Sequence, residues 1–468
     1  MRGALTRTAP AVVLMTGALV WLAVLAARPL DNLDTYFHLR FGHELLTGHW
    51  SLRHPGSVSS FATARWVPTQ WLPEIVMAQL EEWFGLPGVA WLSGLLFLSL
   101  ALTVYWACRR QAEPVVAALL VVLTLIACTP GVSMRPQLIS YVLVVVTTAS
   151  WLRARGTGRA PWLLVPLTWL WTMCHGMWPV GIVIGIVAVA GLALDRRHPR
   201  PALTRMAAIP VLSALAALLT PVGPALFPAV VEVTSRKEYF YEWGRPDFTE
   251  PYVVVLLALL VLAVVPRVVR GRVPWFDLAL IGLAAVWTVY SQRTVPVAAC
   301  VAAPLAAGAL QPWLGARPRV ARPERLLLIG GYVVALAVLA LVVPHTAAEP
   351  LDHPSWTDDA LGDLPEGTKV LSESGYGGFL MWRFPQLDLV AHGYGDTYTD
   401  AELERNADIN GVRAGWVALV RETDVAYAVL PPGSLLARDL VLAEHWSVVH
   451  RSDDLELLRP PPGWMDGS

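Results

Sequence analysis

Long apolar segments recur along this chain, and they constrain its fold more than any other feature. Most are long enough for a helix to cross the hydrocarbon core of a bilayer, at about 1.5 Å per residue. They occupy residues 9–27, 89–107, 114–129, 137–152, 161–175, 178–194, 204–220, 251–266, 274–290, 295–312 and 326–343. The chain is 55% hydrophobic and only 15% charged, which excludes an ordinary soluble protein and indicates no nucleic-acid partner. The sequence therefore predicts an α-helical polytopic membrane protein with about eleven transmembrane helices.

Arginine residues cluster in alternate loops between these segments. The clusters are Arg2 and Arg7; Arg109 and Arg110; Arg153, Arg155 and Arg159; Arg196, Arg197, Arg200 and Arg205; Arg267, Arg270 and Arg272; and Arg317, Arg319, Arg322 and Arg325. Because cytoplasmic loops carry an excess of Lys and Arg, we place all six clusters, and the N-terminus, on the cytoplasmic side of the plasma membrane. We favour an uncleaved first span over a signal peptide. An odd number of spans then makes the region after His345 extracytoplasmic, like the loop 28–88.

The C-terminal region has a different pattern. Short runs typical of strands at 369–371, 379–384, 387–391, 426–430, 446–450 and 455–458 alternate with helical patterns near 400–408, 412–421 and 434–444. Thr399 and Glu402 fit a capping box. The glycine-rich segments 375–378 and 393–396 are predicted turns, and neither matches a nucleotide-binding motif. We predict a transmembrane domain, 1–344, which includes the first external loop 28–88, and a small extracytoplasmic α/β domain, 345–468.

The first external loop contains a segment with helical periodicity. If Asp34 is the N-cap of a helix that runs to Leu46, then Phe37, Phe41 and Leu45 form one apolar stripe. Such a helix would lie along the membrane surface.

The same loop carries the residues that we expect to do chemistry. Asp34 and His38 are four residues apart and share a helical face, and Asp31 lies just before the helix. Trp71 and Glu74 follow later in the loop, among aromatic residues that favour the membrane interface. A partly dehydrated carboxylate in such a place is suited to act as a base on an acceptor hydroxyl.

Each candidate also has a purely structural explanation. Asp34 can be a plain N-cap, Asp31 a solvated loop carboxylate and His38 an interfacial side chain with a polar tip. Arg135 and Arg293 can be residues that snorkel at the ends of spans. A functional site is favoured because the topology, derived from arginines elsewhere, places the candidates on one side of the membrane. These are Asp31, Asp34, Glu74, Arg135, His175, Glu242 and Arg293.

Several short motifs resemble those of the GT-C type glycosyltransferases, multi-pass enzymes that use polyprenyl-phosphate sugars. That superfamily includes protein mannosyltransferases and the lipid A aminoarabinose transferase. Its first external loop is matched by Asp31 to Asp34 with His38 and Gly42, and then by Trp66 through Trp71-Leu72-Pro73-Glu74. Bacterial members are also matched at Met134-Arg135-Pro136-Gln137, His175-Gly176, Thr220-Pro221-Val222-Gly223, Glu242-Trp243 and Gln292-Arg293. The C-terminal region, with Gly377-Gly378 and Asp396, resembles the extracytoplasmic domain of many relatives.

The resemblance implies that a sugar moves from a polyprenyl-phosphate donor to a lipid, glycan or protein acceptor on the extracytoplasmic face. The acidic residue of the first loop, matched best by Asp34 and then by Asp31, would bind or deprotonate the acceptor. Arginines would hold the leaving phosphate, and this direct displacement would invert the anomeric carbon. The expected substrate-binding residues are His38, Trp71, Glu74, Arg135, His175, Glu242 and Arg293. The spacing Asp-Asn-Leu-Asp departs from the acidic pairs of several members, so the sequence leaves a divalent metal cofactor open.

Two other classes of protein stay open. One is a lipid or solute transporter, which is disfavoured because we see no inverted repeat and few charges inside the spans. Asp277 is the main such charge, and we expect it to be hydrated near the cytoplasmic end of its span. The other is a non-catalytic GT-C-like scaffold, which the sequence does not distinguish from an enzyme.

Overall fold

The computed structural model describes residues 2–236, 239, 241–271, 273–315, 322–350 and 353–465. Its helices are α1 (Arg2–Ala26), α2 (Leu33–Leu46), α3 (Trp71–Phe84), α4 (Leu86–Arg109), α5 (Pro114–Ala127), α6 (Gln137–Thr157), α7 (Leu164–Cys174), α8 (Trp178–Asp195), α9 (Arg200–Ala217), α10 (Leu226–Ser235), α11 (Pro251–Val269), α12 (Trp275–Tyr290), α13 (Val295–Leu310), α14 (Arg322–Thr346), α15 (Trp356–Leu361), α16 (Ser374–Arg383), α17 (Asp400–Asn410), α18 (Trp416–Thr423) and α19 (Leu435–Leu442). Its strands are β1 (Thr368–Ser372), β2 (Leu387–Leu389), β3 (Tyr427–Leu430), β4 (Ser447–Arg451) and β5 (Glu456–Arg459). Arg272, Arg317 and Arg319 of the arginine clusters lie outside the described residues.

The chain packs as two compact units. The first unit comprises Met1–Arg28, Val89–Val230 and Phe240–Thr346, and the second comprises Pro29–Gly88, Val231–Tyr239 and Ala347–Ser468. The first external loop, which the sequence assigned to the transmembrane domain, therefore packs in the same unit as the C-terminal region.

Each predicted apolar segment coincides with a helix whose residues lie largely in the first unit. Among the described residues, six helices are long and apolar enough to cross a membrane: Leu86–Arg109, Gln137–Thr157, Trp178–Asp195, Pro251–Val269, Gln292–Trp313 and Glu324–Thr346. Shorter apolar helices accompany them, including Pro10–Ala26 and Pro114–Ala127. The polytopic helical architecture is thus confirmed, and the figure of about eleven crossings stays a prediction.

Helix α13 is the packing centre of the first unit. It contacts α5, α6, α11 and α12, and the span that contains it is 83% buried within the protein. Its sequence is rich in alanine, and small side chains allow neighbouring helix backbones to approach closely. Helix α14 is the opposite case, since only 11% of its span is buried and most of its Leu and Val side chains, apart from Leu339 and Val343, face outward. Such a surface fits contact with lipid.

Two buried carboxylates of the first unit, Asp277 and Glu324, are paired with arginines. The Asp277 side chain is only 2% exposed, and its oxygens accept hydrogen bonds from Arg155 at 2.6 Å and Arg267 at 3.2 Å. Arg109 donates to both carboxylate oxygens of Glu324, at 2.6 and 3.0 Å. The prediction that Asp277 is hydrated is therefore wrong, because Arg155 of α6 and Arg267 of α11 neutralise it inside the protein.

The second unit contains a five-stranded sheet in the order β2-β1-β3-β5-β4. Strand β1 pairs in parallel with β2 and β3, whereas β5 pairs antiparallel with β3 and β4. Parallel pairs need crossover connections, and the helices that follow β1 and β2 supply them. A core around Val420, Leu440, Trp446 and Leu458 lies against the sheet. The small α/β domain is thus confirmed.

The predicted strand at 379–384 is wrong, because those residues lie in or directly after helix α16. The glycines of the segment 375–378 also lie in that helix and do not form the predicted turn. A Cβ atom at Gly377 would overlap the carbonyl oxygen of Ala391, and one at Gly378 would lie 2.7 Å from the carbonyl oxygen of Leu33. The two glycines therefore allow α16 to pack closely against its neighbours.

Candidate functional site

Helix α2 carries the two predicted catalytic carboxylates at its N-terminal end. The side chain of Asn32 accepts a hydrogen bond from the backbone N–H of Asp34 at 3.0 Å, so Asn32 is the N-cap. The prediction that Asp34 caps the helix is therefore wrong, although the helix does end at Leu46. Asp34 lies partly buried in the first turn of α2. Asp31 lies before the cap and is exposed.

The apolar stripe of α2 is buried against protein, so it does not provide the membrane-facing surface on which the prediction of a surface helix rested. Phe37, Phe41 and Leu45 are at most 9% exposed. The ring of Phe41 lies 5.3 Å from that of Trp66 and 5.0 Å from that of Tyr394, between ring centroids. The difference arises because Tyr394 is more than 350 residues away in sequence, and periodicity within one helix does not reveal such a partner.

His38 and Glu74 form a buried pair between α2 and α3. The distance from His38 Nδ1 to Glu74 Oε1 is 2.8 Å, and neither side chain is more than 3% exposed. A Cβ atom at Gly42 would overlap the carbonyl oxygen of Glu74, so this glycine allows the two helices to approach. Burial raises the pKa of Glu74 to about 8, and the pair therefore retains a proton at neutral pH.

Two polar atoms beside this pair lack a hydrogen-bond partner among the described residues. They are the second carboxylate oxygen of Glu74 and the indole nitrogen of Trp71, and both are buried. A buried polar atom without a partner is costly, so these two atoms are candidates for contact with a bound group.

A second group of predicted residues meets in the first unit. Arg135 donates from Nη1 to Glu242 Oε1 at 2.8 Å, and Nη1 of Arg293 lies 3.8 Å from Glu242 Oε2. The guanidinium carbon of Arg293 lies 5.3 Å from the centre of the Trp243 ring, in a cation–π contact. We refer to Arg135, Glu242, Trp243 and Arg293 as the arginine–glutamate cluster.

Local structure holds this cluster in place. Arg135 lies in the turn before α6 and donates from Nε to the hydroxyl of Ser133 at 3.1 Å. Glu242 and Arg293 lie in separate short 3₁₀ turns, Tyr241–Trp243 and Gln292–Thr294. The backbone N–H of Gln292 donates to the carbonyl of Gly244 at 3.0 Å and so joins these two turns.

The electrostatics of the cluster favour a negatively charged ligand. Burial opposes the ionisation of Glu242, but the charges of Arg135 and Arg293 outweigh it and hold the pKa of this carboxyl below its usual value. Two guanidinium groups thus face one carboxylate, and positive charge is in excess within the cluster. Arginine is also well matched to phosphate, since its planar fork can donate two parallel hydrogen bonds.

His175, another predicted substrate-binding residue, makes contacts of a structural kind. It lies at the break between α7 and α8 and is 4% exposed. Its Nδ1 lies 2.9 Å from the hydroxyl of Ser140 and accepts a hydrogen bond from the backbone N–H of Met177 at 3.3 Å. The indole of Trp171 donates to the same serine hydroxyl at 2.8 Å. These bonds satisfy polar groups at a helix break.

The structure therefore groups the predicted residues in part. Arg135, Glu242 and Arg293 meet in the first unit, and His38 meets Glu74 in the second unit. Sequence reasoning missed Tyr394, whose ring lies 5.0 Å from that of Phe37 and 6.4 Å from that of His38. The glycine-rich segment 393–396 was the only signal for it. Within the described part of the chain, no three His, Cys, Asp or Glu side chains form a group that could hold a metal ion.

Comparison with known proteins relates this chain to solved structures only. No protein-family model and no curated protein sequence matches it. An oligosaccharyltransferase from Archaeoglobus fulgidus, tethered with an acceptor peptide containing the NVT sequon, is 13% identical with a TM-score of 0.56; the match covers 89% of this chain and 68% of that one. The archaeal oligosaccharyltransferase AglB from the same organism, in complex with an inhibitory peptide and a dolichol-phosphate, is 12% identical with a TM-score of 0.54, covering 92% and 70%. ArnT from Cupriavidus metallidurans in the apo state is 18% identical with a TM-score of 0.51, covering 97% and 98%.

These similarities define the fold of the chain. The chain shares its fold with these solved structures, and this is the GT-C fold that its short motifs indicated. Because the identities are below 20%, the comparisons define the architecture and leave the activity to be argued from the residues.

Proposed function

We propose that this protein is a membrane glycosyltransferase that moves a sugar from a polyprenyl-phosphate donor to an acceptor on the extracytoplasmic face. The observation that carries the proposal is the convergence of Arg135 and Arg293 on Glu242 in a chain with the GT-C fold. Of the similar structures, one holds a dolichol-phosphate and another an acceptor peptide, and this supports a lipid-linked donor.

The donor is expected to bind at the arginine–glutamate cluster. A polyprenyl-phosphate sugar keeps its tail in the bilayer and its charged head at the surface. Arg135 precedes α6 and Arg293 precedes α13, and the arginine-rich loops follow the other ends of these helices. By the positive-inside rule the cluster then lies on the extracytoplasmic side, where it can hold the phosphate of the donor head.

The acceptor is expected to be activated by Asp34, with Asp31 as the second choice. The Asp34 carboxylate takes the proton of the acceptor hydroxyl while the acceptor oxygen forms a bond to the anomeric carbon of the sugar. The bond from that carbon to the phosphate oxygen breaks, and the phosphate leaves with the electron pair. Because the two oxygens lie on opposite faces of the sugar, the transfer inverts the anomeric carbon. The acceptor is a lipid, a glycan or a protein.

The test is a glycan and lipid profile of a strain from which the gene is deleted. We expect one glycoconjugate to be missing and its polyprenyl-linked donor to accumulate. Expression of the parent protein should restore the profile, whereas a variant with Arg135→Ala and Arg293→Ala should not. A variant with Arg197→Ala and Arg205→Ala is the matched control, because it loses two exposed arginines elsewhere in the first unit.

Two outcomes would contradict the proposal. The first is an unchanged glycan and lipid profile in the deletion strain, which would contradict the hypothesis that the protein is an enzyme. The second outcome combines two results: the purified protein binds the donor, and the Asp34→Asn, Asp31→Asn and Glu74→Gln variants each restore the profile of the deletion strain. The protein would then act as a GT-C-like scaffold and not as the transferase.

A further inference from the structure

A cavity of 460 Å³ lies in the first unit beside the ends of α4 and α6. Its lining is Ala107, Arg110, Gln111, Ala149, Leu152, Arg153, Gly156 and Thr157. Arg153 lies 16 residues after Gln137, the first residue of α6, so about 24 Å of helix separates the cavity from the turn that carries Arg135. The cavity is therefore a different place from the proposed donor site.

The two arginines of this cavity differ from their neighbours in sequence. Arg109 is paired with Glu324, and Arg155 is paired with Asp277. In the described part of the chain, neither Arg110 nor Arg153 is within ion-pair distance of a carboxylate. Burial and the charge of Arg153 lower the pKa of the Arg110 guanidinium, which means that two positive charges oppose each other without neutralisation.

The surroundings of the cavity indicate the kind of anion that it suits. Helices α4 and α6 are both long and apolar enough to cross a membrane, so lipid headgroups would lie at their ends. The guanidinium of Arg110 stacks 4.0 Å from the ring of Trp106, and Trp is a residue typical of the membrane interface. Ala107, Ala149 and Leu152 give the cavity an apolar wall. Basic cavities between membrane helices are suited to the phosphate of anionic lipids.

We propose that this cavity binds the phosphate headgroup of an anionic phospholipid through Arg110 and Arg153. By the positive-inside rule, the lipid belongs to the cytoplasmic leaflet. The proposal concerns a site remote from the transfer chemistry and does not depend on the proposed function.

The test is a lipid titration of the full-length protein in nanodiscs of phosphatidylcholine that contain increasing amounts of phosphatidylglycerol. Native mass spectrometry of the released protein counts the phosphatidylglycerol molecules that stay bound. Each arginine replaced by glutamine should weaken binding about tenfold, and the variant with Arg110→Gln and Arg153→Gln about 100-fold, because each removes a hydrogen bond to a charged group. A variant with Arg197→Gln and Arg205→Gln is the control for the loss of two exposed positive charges.

Three results would overturn the proposal. Equal binding of phosphatidylglycerol by the parent and by the variant with both cavity arginines replaced would show that the cavity is not the site. An equal loss in the control variant would show that general surface charge is responsible. If glycerol 3-phosphate competes at the same concentrations as the lipid, the site binds a free phosphate compound and is not a phospholipid site. Retention of one lipid by the parent and the control, but not by the cavity variant, would support it.

Discussion

Replacement of Arg135 by alanine should separate donor binding from protein stability. Arg135 is 6% exposed and donates to Glu242 at 2.8 Å. In the proposed function, the guanidinium also holds the donor phosphate. The contribution of Arg135 to the free energy of unfolding should be smaller than its contribution to the free energy of donor binding.

The loss of stability should be small. The side chain of Glu242 is 42% exposed, so water screens its pair with Arg135, and Arg293 still lies 3.8 Å from the same carboxylate. Pairs of this kind contribute about 1 kcal/mol or less. A hydrogen bond from a charged arginine to a phosphate contributes about 1.5–3 kcal/mol, so donor affinity should fall by about 10- to 150-fold. The donor affinity of Arg135→Lys should lie between those of the parent and Arg135→Ala, because lysine keeps the positive charge but lacks the planar fork of arginine.

The assay is equilibrium binding of a radiolabelled polyprenyl phosphate to the protein in nanodiscs, with thermal unfolding measured on the same samples. Arg205→Ala is the control, since Arg205 is exposed and distant in sequence from the cluster. If Arg135→Ala and Arg293→Ala both bind the lipid as tightly as the parent, the two arginines anchor the helix ends and the donor site lies elsewhere. A large loss of stability in Arg135→Ala would refute the estimate of screening at Glu242.

The remaining predictions concern topology and the second unit. A reporter active only in the cytoplasm and fused after Pro350 should be silent, and strong activity there would overturn the proposed topology. Asp34→Asn should reduce transfer from a polyprenyl-phosphate sugar by about 100- to 10,000-fold while abundance stays near parental, and activity within a few-fold would pass the role of base to Asp31 or Glu74. Glu74→Ala should lower the free energy of unfolding by about 1–3 kcal/mol because it removes the carboxylate that bonds to Nδ1 of the buried His38. Burial raises the pKa of Glu74 from its usual 4.5 to about 8, so the parent should lose stability as the pH rises through this window. Glu74→Gln cannot ionise and should not show this loss. If the free energies of unfolding of parent and variant change with pH in the same way across the window, the prediction is contradicted.

Much of the fold could be predicted because it depends on local patterns. The apolar segments each became a helix, and the capping box at Thr399 and Glu402 is present, with the Thr399 N–H donating to the Glu402 carboxylate at 2.7 Å. The sheet followed from alternating short runs, since period-two patterning reports one buried face. These features need only residues that are close in sequence.

The errors arose where a distant residue decides the local structure. The segment 379–384 has the composition of a strand, but it lies in or directly after helix α16. Gly377 and Gly378 have no Cβ atom, so the backbone at Ala391 and Leu33 can pack closely against this helix. Asp277 was expected to be hydrated, and its two arginine partners come from other helices. Arg135, Glu242 and Arg293 of the candidate site were predicted as individual residues. Only the tertiary structure shows that the two arginines meet at the carboxylate of Glu242.

The correction at α2 strengthens the case for Asp34 as a functional residue. Before the structure, the simplest explanation of Asp34 was that it satisfies the free N–H groups at the start of the helix. Asn32 performs that task, since its side chain accepts from the N–H of Asp34 itself. The carboxylate of Asp34 therefore lies in the first helical turn and is not the N-cap of α2. Because Asn32 supplies the cap, a loss of transfer in Asp34→Asn would report on base chemistry and not on the start of the helix.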